Sequence, residues 1–297
     1  MAIQSMDQLV TALSAGQKWR TDWNKNALPT TAQVAGQWYD LFGGAGNPAA
    51  STILGTGTNL TFQPLSETTT NASSIQHGGN VSTSVKQLLN ASVFSAAATT
   101  APAVFMLVDM LGFFPITTTT TTGAQTLLGT QTLPRYADGK GVVAYLVPST
   151  VMGAGTPTCQ LSYTKPGGTA GRLTPSTPAL PTLNTTAPVG SIPYSGTGAG
   201  KYGPFIPLAA GDNGILSVQS INFSATMTSG VMNLVLCRPI CTIPITTVGV
   251  AGERDLLNQI PSAPIIYDGA CLNWLMYAGA ATPVNSAFYG AIETAWG

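Results

Sequence analysis

Charge is what this 297-residue sequence has least of. Eleven Lys/Arg and eleven Asp/Glu make up 7% of the chain, and the formal net charge is zero. A typical soluble domain carries roughly 25% charged residues. Size scaling gives a folded chain of this length about 11,800 Å² of surface, hence roughly one charge per 540 Å², where an average composition gives roughly one per 160 Å². Zero net charge also removes the long-range repulsion that keeps free copies apart. The scarcity predicts a surface largely taken up by contacts with copies or partners. It excludes a nucleic-acid partner, because phosphate binding needs clustered Lys and Arg and the basic residues here are scattered.

Histidine is nearly absent. His77, the single one, sits in QHGGN, where the Gly-Gly pair predicts a turn with the ring at the surface; no GxSxG accompanies it to build a triad. The four cysteines (Cys159, Cys237, Cys241, Cys271) lack metal-ligand spacing. They are expected as buried small apolar side chains in a reducing compartment. ILGTGTN lacks the third glycine of a dinucleotide fold and predicts a hairpin turn, and DGKGVV is no P-loop but an Asp-Gly turn before a strand. Carboxylates are too dispersed for a glycosidase pair, and Glu253-Arg254-Asp255 reads as a solvated turn or helix start. No catalytic residue, cofactor, metal or small-molecule substrate is therefore expected, and the chain is not expected to be an enzyme. The N-terminus lacks the basic and apolar regions of a secretory signal. Hence the six N-x-S/T sequons (Asn59, Asn71, Asn80, Asn90, Asn184, Asn222) read as the arithmetic of a Thr/Ser/Asn-rich chain. No uninterrupted apolar window of 18 residues exists, so no membrane-spanning helix is expected; the best stretch, 101–116, is short and carries Asp109 and Pro115.

Apolar residues are present in ordinary amount, 44% of the chain, so a core can form. SMDQLVTALSAG predicts a helix capped by Ser5, with Met6, Leu9, Val10 and Leu13 apolar and Gly16 as the stop. PTTAQVAGQWYDLFGG predicts a second, with Val34, Trp38, Leu41 and Phe42 on one face. Between them KWRTDWNK gathers Trp19, Arg20 and Trp23. Together with Trp38 and Tyr39 these suit the anchors of a docking arm, although Trp19 and Trp23 suit equally well two rings capping the core. Residues 1–48 are thus expected as a helical docking arm and 49–297 as a β-sandwich domain.

From about residue 50, short runs of β-formers alternate with Gly/Pro/Asn punctuation: TNLTFQPL, GVVAYLVPS, CQLSYTKP, GILSVQSINFSATM, GVMNLVLCRPICTIPI, ACLNWLMYAG, AFYGAIETAW. The pattern predicts a mainly β fold, an antiparallel sandwich, jelly-roll-like, with the short N-terminal helices. One or two further helices are expected at 81–98, packed by Val85, Leu88, Leu89 and Val93, and at 101–114, ended by Pro115. Residues 165–204, dense in Pro, Gly and Thr, predict an extended loop reaching a neighbouring subunit.

Three stretches together resemble virion structural proteins of tailed bacteriophages: TLPRYADGKGVVAYLVPS after DMLGFFP, GPFIPLAAGDNGILSVQSINFSA, and the C-terminal PIIYDGACLNWLMYAGAATPVNSAFYGAIETAWG. They cover about half the chain, mostly after Phe105, and leave out the N-terminal segment and residues 165–204. The resemblance implies a phage particle component located on the exterior of the head and made in the host bacterial cytoplasm. The favoured role is a capsid decoration or cement protein. Its implied partners are the major capsid protein and copies of itself, a trimer being one arrangement. A major capsid, head–tail or tail protein is the structural alternative; a carbohydrate- or receptor-binding virion protein is the alternative of another class. Thr117, Thr118, Thr119 and Thr120, in the run ITTTTTTG, are expected in an ordered extended loop or edge strand near a subunit contact, since threonine favours extended backbone and brings no charge to desolvate.

Overall fold

A computed structural model describes residues 2–28, 32–175, 187–194 and 203–297. Among these residues one helix, α1 (Met6–Ser14), precedes fifteen strands. In order these are β1 Lys18–Asn26, β2 Gln37–Asp40, β3 Gly46–Asn47, β4 Gln63–Pro64, β5 Lys86–Phe94, β6 Ala103–Ile116, β7 Gly123–Thr126, β8 Val143–Pro148, β9 Cys159–Thr164, β10 Arg172–Leu173, β11 Ser217–Phe223, β12 Met232–Ile245, β13 Gly252–Asp255, β14 Leu272–Ala278 and β15 Ala287–Trp296. Single 3-10 segments lie at Leu41–Gly43 and Leu257–Ser262. The fold is mainly β, and every pairing between these named strands is antiparallel.

Three sheets make the sandwich: β13-β5-β15-β1-β3, β10-β9-β11-β7, and β2-β14-β6-β12-β8 with β4 added along β6. Two apolar cores result. In the smaller, alternate residues Ala103, Phe105 and Leu107 of β6 and Leu272, Trp274 and Met276 of β14 meet Trp23, Leu88, Val93, Phe288 and Ile292 of the five-stranded sheet. The period-2 alternation is that of a face packed on another face. The larger core surrounds the second half of β6 (Val108 to Ile116) and the first half of β12, closed by Leu161, Tyr163, Val218, Ile221 and Phe223 of the four-stranded sheet. β6 and β12, fourteen residues each, run antiparallel through both cores. A third cluster seats Leu9 and Ala12 of α1 on Ile3, Leu89, Ile260 and Ala295.

Several expectations need correction. The segments 81–98 and 101–114 form strands β5 and β6, not helices. In β6 the residues from Leu107 to Ile116 are buried on both faces, and such a run lacks the alternation that marks a half-exposed strand. The second N-terminal helix is replaced by β2 and the 3-10 segment that Asp40 caps by accepting from the Phe42 N–H at 2.8 Å; residues 29–31 of it lie outside the described residues. Residues 1–48 are no separate arm either. β1 pairs with β15 from Lys18–Ala295 to Asn26–Ala287, and β2 pairs with β14. On α1, whose Ser5 cap accepts from the Gln8 N–H, Leu9 and Ala12 face inward while Met6 and Val10 are exposed. Of 165–204, the described part contributes β10 and buries Ile192 and Tyr194. The expected reach to a neighbour falls largely on 176–186 and 195–202, outside the described residues.

Candidate functional site

The anchors chosen from sequence divide. Trp23 is only 2% exposed; its ring packs 5.1 Å from that of Trp274 and lies across Gly290, where a Cβ would stand 2.7 Å from the indole. Tyr39 is equally interior, its hydroxyl accepting from the Val34 N–H at 2.6 Å. Trp38 is half-buried against Tyr277, with ring centroids 5.6 Å apart. Trp19 is 47% exposed, and Arg20 is exposed and forms ion pairs with Asp22 at 2.9 Å and Glu293 at 2.6 Å. Of this group only Trp19 and Arg20 are exposed.

Thr117 to Thr122 form the loop between β6 and β7, with a turn at Thr119-Thr120. Thr119 is buried and donates to the Gly230 carbonyl at 3.1 Å, while its own carbonyl accepts from the Met227 N–H at 3.0 Å. Thr118 donates to Gln125 Oε1, and the Thr117 N–H donates to Asn59 Oδ1 at 2.8 Å. Thr117 and Thr120 are exposed. Hydroxyls thus do here what backbone ladders do elsewhere.

A cluster that the sequence did not announce gathers the chain's scarce charges. Asp109, midway along β6, is fully buried. Arg135, from the LPRY stretch, meets it with two hydrogen bonds, Nε to Oδ2 at 2.8 Å and Nη2 to Oδ1 at 2.7 Å. The same guanidinium donates to the carbonyls of Leu65 and Met110, and the Cys271 N–H donates to Asp109. The arginine of that stretch therefore ties a loop to the central strand. Burial raises the Asp109 carboxyl above its ordinary value, with Arg135 opposing the shift.

Next to this pair lies His77, and here too a correction is needed. The Gly-Gly turn exists, with φ +97° at Gly78 and +64° at Gly79, but the ring is fully buried rather than at the surface. Its Nε2 stands 3.1 Å from the Ala270 carbonyl oxygen and 3.0 Å from Glu67 Oε2. Its Nδ1 stands 3.0 Å from Nζ of Lys86, the first residue of β5 and 1% exposed. Lys86 Nζ also donates to the Gly79 carbonyl and lies 3.4 Å from Asp268 Oδ1. Hydrogen bonding from His77 lowers the Glu67 carboxyl, and burial lowers the Lys86 ammonium against the pull of Asp268. Glu67, His77, Lys86 and Asp268 form a chain of contacts from the interior to the edge of an open cleft of about 720 Å³.

That cleft lies between the LPRYADG loop and residues 265–268. Tyr136 and Tyr267 meet edge-to-face across it at 4.8 Å, and Arg238 stacks on Tyr136 at 5.5 Å. A neighbouring cleft of about 570 Å³ shares both tyrosines and is bordered by Lys140 and Arg238. The arrangement offers aromatic faces, cations and carboxylates to a polar ligand, and a buried amine beside an imidazole. A second buried group, Lys25 with Asp40, Tyr145 and Asn273, serves structure: Lys25 Nζ donates to the carbonyls of Gly44 and Ala49, both at 3.0 Å, and Asp40 accepts from Tyr145 and Asn273. Among the described residues no group of three or more His, Cys, Asp or Glu side chains could hold a metal ion. All four cysteines are free, and burial raises each thiol.

One signal was available beforehand: a single aspartate inside an apolar run needs a partner, and LPRY supplied it. No family model, curated protein or solved structure matches this chain.

Proposed function

We propose that the protein is a structural component of a bacteriophage particle, a capsid decoration or cement protein that binds the major capsid shell and copies of itself on the head exterior. Its action is adhesive rather than catalytic. The observation that carries this reading is the poverty of charge on the surface. Among the described residues five ionic side chains (Lys25, Asp40, Lys86, Asp109, Arg135) are buried, so fewer still are spread over 11,544 Å². Large apolar side chains are exposed instead: Met6, Val10 and Trp19 near the N-terminus, and Val34, Val151, Leu173, Val250 and Tyr289 elsewhere. An assembly interface can bury such a surface with little charge to desolvate. The phage-like LPRYADGKGV stretch supports the same reading, since its arginine ties the loop to β6.

Copy number tests it. Densitometry of purified particles is expected to give hundreds of copies; a dozen or fewer would point to a connector or tail position and would end the cement proposal. The exposed Tyr267, set edge-to-face on Tyr136, favours a second reading, a sugar-binding virion protein, because aromatic faces stack on sugar rings. A glycan array without signal removes that one.

A further inference from the structure

We propose that Lys86 and Asp268 join in an intramolecular isopeptide bond, formed once by the folded protein itself. The inference is independent of the phage reading, because it concerns only groups within one chain.

The contacts around Lys86 supply each role that acyl transfer to an amine needs. The nucleophile is Nζ of Lys86, a residue only 1% exposed. The electrophile is the Asp268 carboxyl group, with Oδ1 3.4 Å from Nζ. The base is His77 Nδ1 at 3.0 Å. With Lys86 as an ammonium the geometry requires an unprotonated Nδ1, so the ring proton sits on Nε2, between Ala270 O and Glu67 Oε2. Glu67 then stabilises the imidazolium that forms when the amine gives up its proton, the logic by which a carboxylate supports a catalytic histidine. The Val81 N–H, 3.1 Å from Asp268 Oδ1, is placed to hold the oxygen that becomes negative in the tetrahedral intermediate.

The step balances without any co-reactant. The Nζ–Cγ bond forms and the Cγ–Oδ2 bond breaks. The ammonium loses two hydrogens, at least one relayed through His77, and they leave with Oδ2 as water. Nothing is oxidised or reduced. Lys25, the other buried lysine among the described residues, is the internal contrast. Its two acceptors are backbone carbonyls, and among the described residues no carboxylate lies within ion-pair distance of it. The bond would join the start of β5 to the loop that leads into β14, closing a loop of about 180 residues in the unfolded chain.

Intact mass measurement on the purified full chain, denatured after days at 37 °C, is the test. The expected mass is 18 Da below that encoded, with a Lys86–Asp268 cross-linked peptide pair after digestion. Lys86→Met and Asp268→Ala should stand at their own encoded masses. Asp268→Asn, which releases ammonia instead, should lose 17 Da. Glu67→Gln should form the link on the order of 10² more slowly, as expected when general-base assistance is impaired. Wild-type protein at its full encoded mass overturns the proposal whatever the variants do. So does an 18 Da loss that persists in Lys86→Met, because that would be a succinimide at Asp268-Gly269.

Discussion

Removing Arg135 tests what the buried Asp109–Arg135 pair contributes to stability. In Arg135→Met the Asp109 carboxylate stays in place, fully buried, and keeps one donor, the Cys271 N–H at 2.9 Å. Stranding one partner of a buried pair costs about 3–5 kcal/mol. The reciprocal variant, Asp109→Leu, strands a guanidinium that retains the Leu65 and Met110 carbonyls, and should cost a similar amount. The double variant removes both charges and leaves three backbone groups short of a partner, those two carbonyls and the Cys271 N–H, at about 1 kcal/mol each. It should therefore be more stable than the sum of the singles predicts, with a coupling energy of about 3 kcal/mol or more. Equilibrium urea unfolding of the four proteins gives the cycle. The pH dependence carries an independent sign. A carboxyl whose folded value is raised binds its proton more readily folded than unfolded. Its destabilising contribution is therefore absent below the unfolded value and grows as pH rises towards the folded one. Arg135 opposes that rise, so the deficit of Arg135→Met should be smaller at pH 5 than at pH 8. Additive singles, or a deficit independent of pH, would refute the claim that the pair's value lies in mutual neutralisation.

Lys25 gives the opposite sign in an alkaline window. Burial lowers it from 10.5 to about 8, so the charged form is disfavoured in the folded chain below pH 8 and the penalty lifts as pH rises towards 10.5. Relative to Lys25→Met, which shares all buried thiols and phenols, the wild type should gain about 3 kcal/mol across that range; a flat difference refutes it. Trp23→Ala should lose about 3–5 kcal/mol through its cavity beside Trp274, whereas Trp19→Ala should leave unfolding within about 0.5 kcal/mol and lower incorporation into particles; equal effects on stability would contradict the division of the two rings. Thr119→Val should cost about 1 kcal/mol for the bond to Gly230 and Thr120→Val almost nothing, as read by thermal melting.

Legibility from sequence followed exposure. β8, β9, β11, β14 and β15 were readable because each pairs an alternating or β-branched run with turn residues at its ends. β6 was not, since a strand passing through two cores is apolar on both faces and resembles a buried helix. β5 misled because Val85, Leu88, Leu89 and Val93 fall at helical spacing by coincidence, although the Ser, Thr and Asn around them are poor helix formers. The long-range cluster was almost invisible. Nothing local ties His77 to Glu67 and Lys86 across a fold in which residues 67, 77, 86, 135 and 268 converge. A turn flanked by glycines suggested exposure, whereas the neighbouring chain ends up covering the ring.

β6 and β12 share one ladder from Met232–Ile116 to Ile245–Ala103 while serving two separate cores. Neither half of the sandwich can loosen its interior without shifting strands that the other half holds. Heat should therefore find one cooperative unit where the packing alone would suggest two. Tension applied along these strands would load many hydrogen bonds side by side instead of opening them in turn, which is the stiffer of the two ways to pull a sheet.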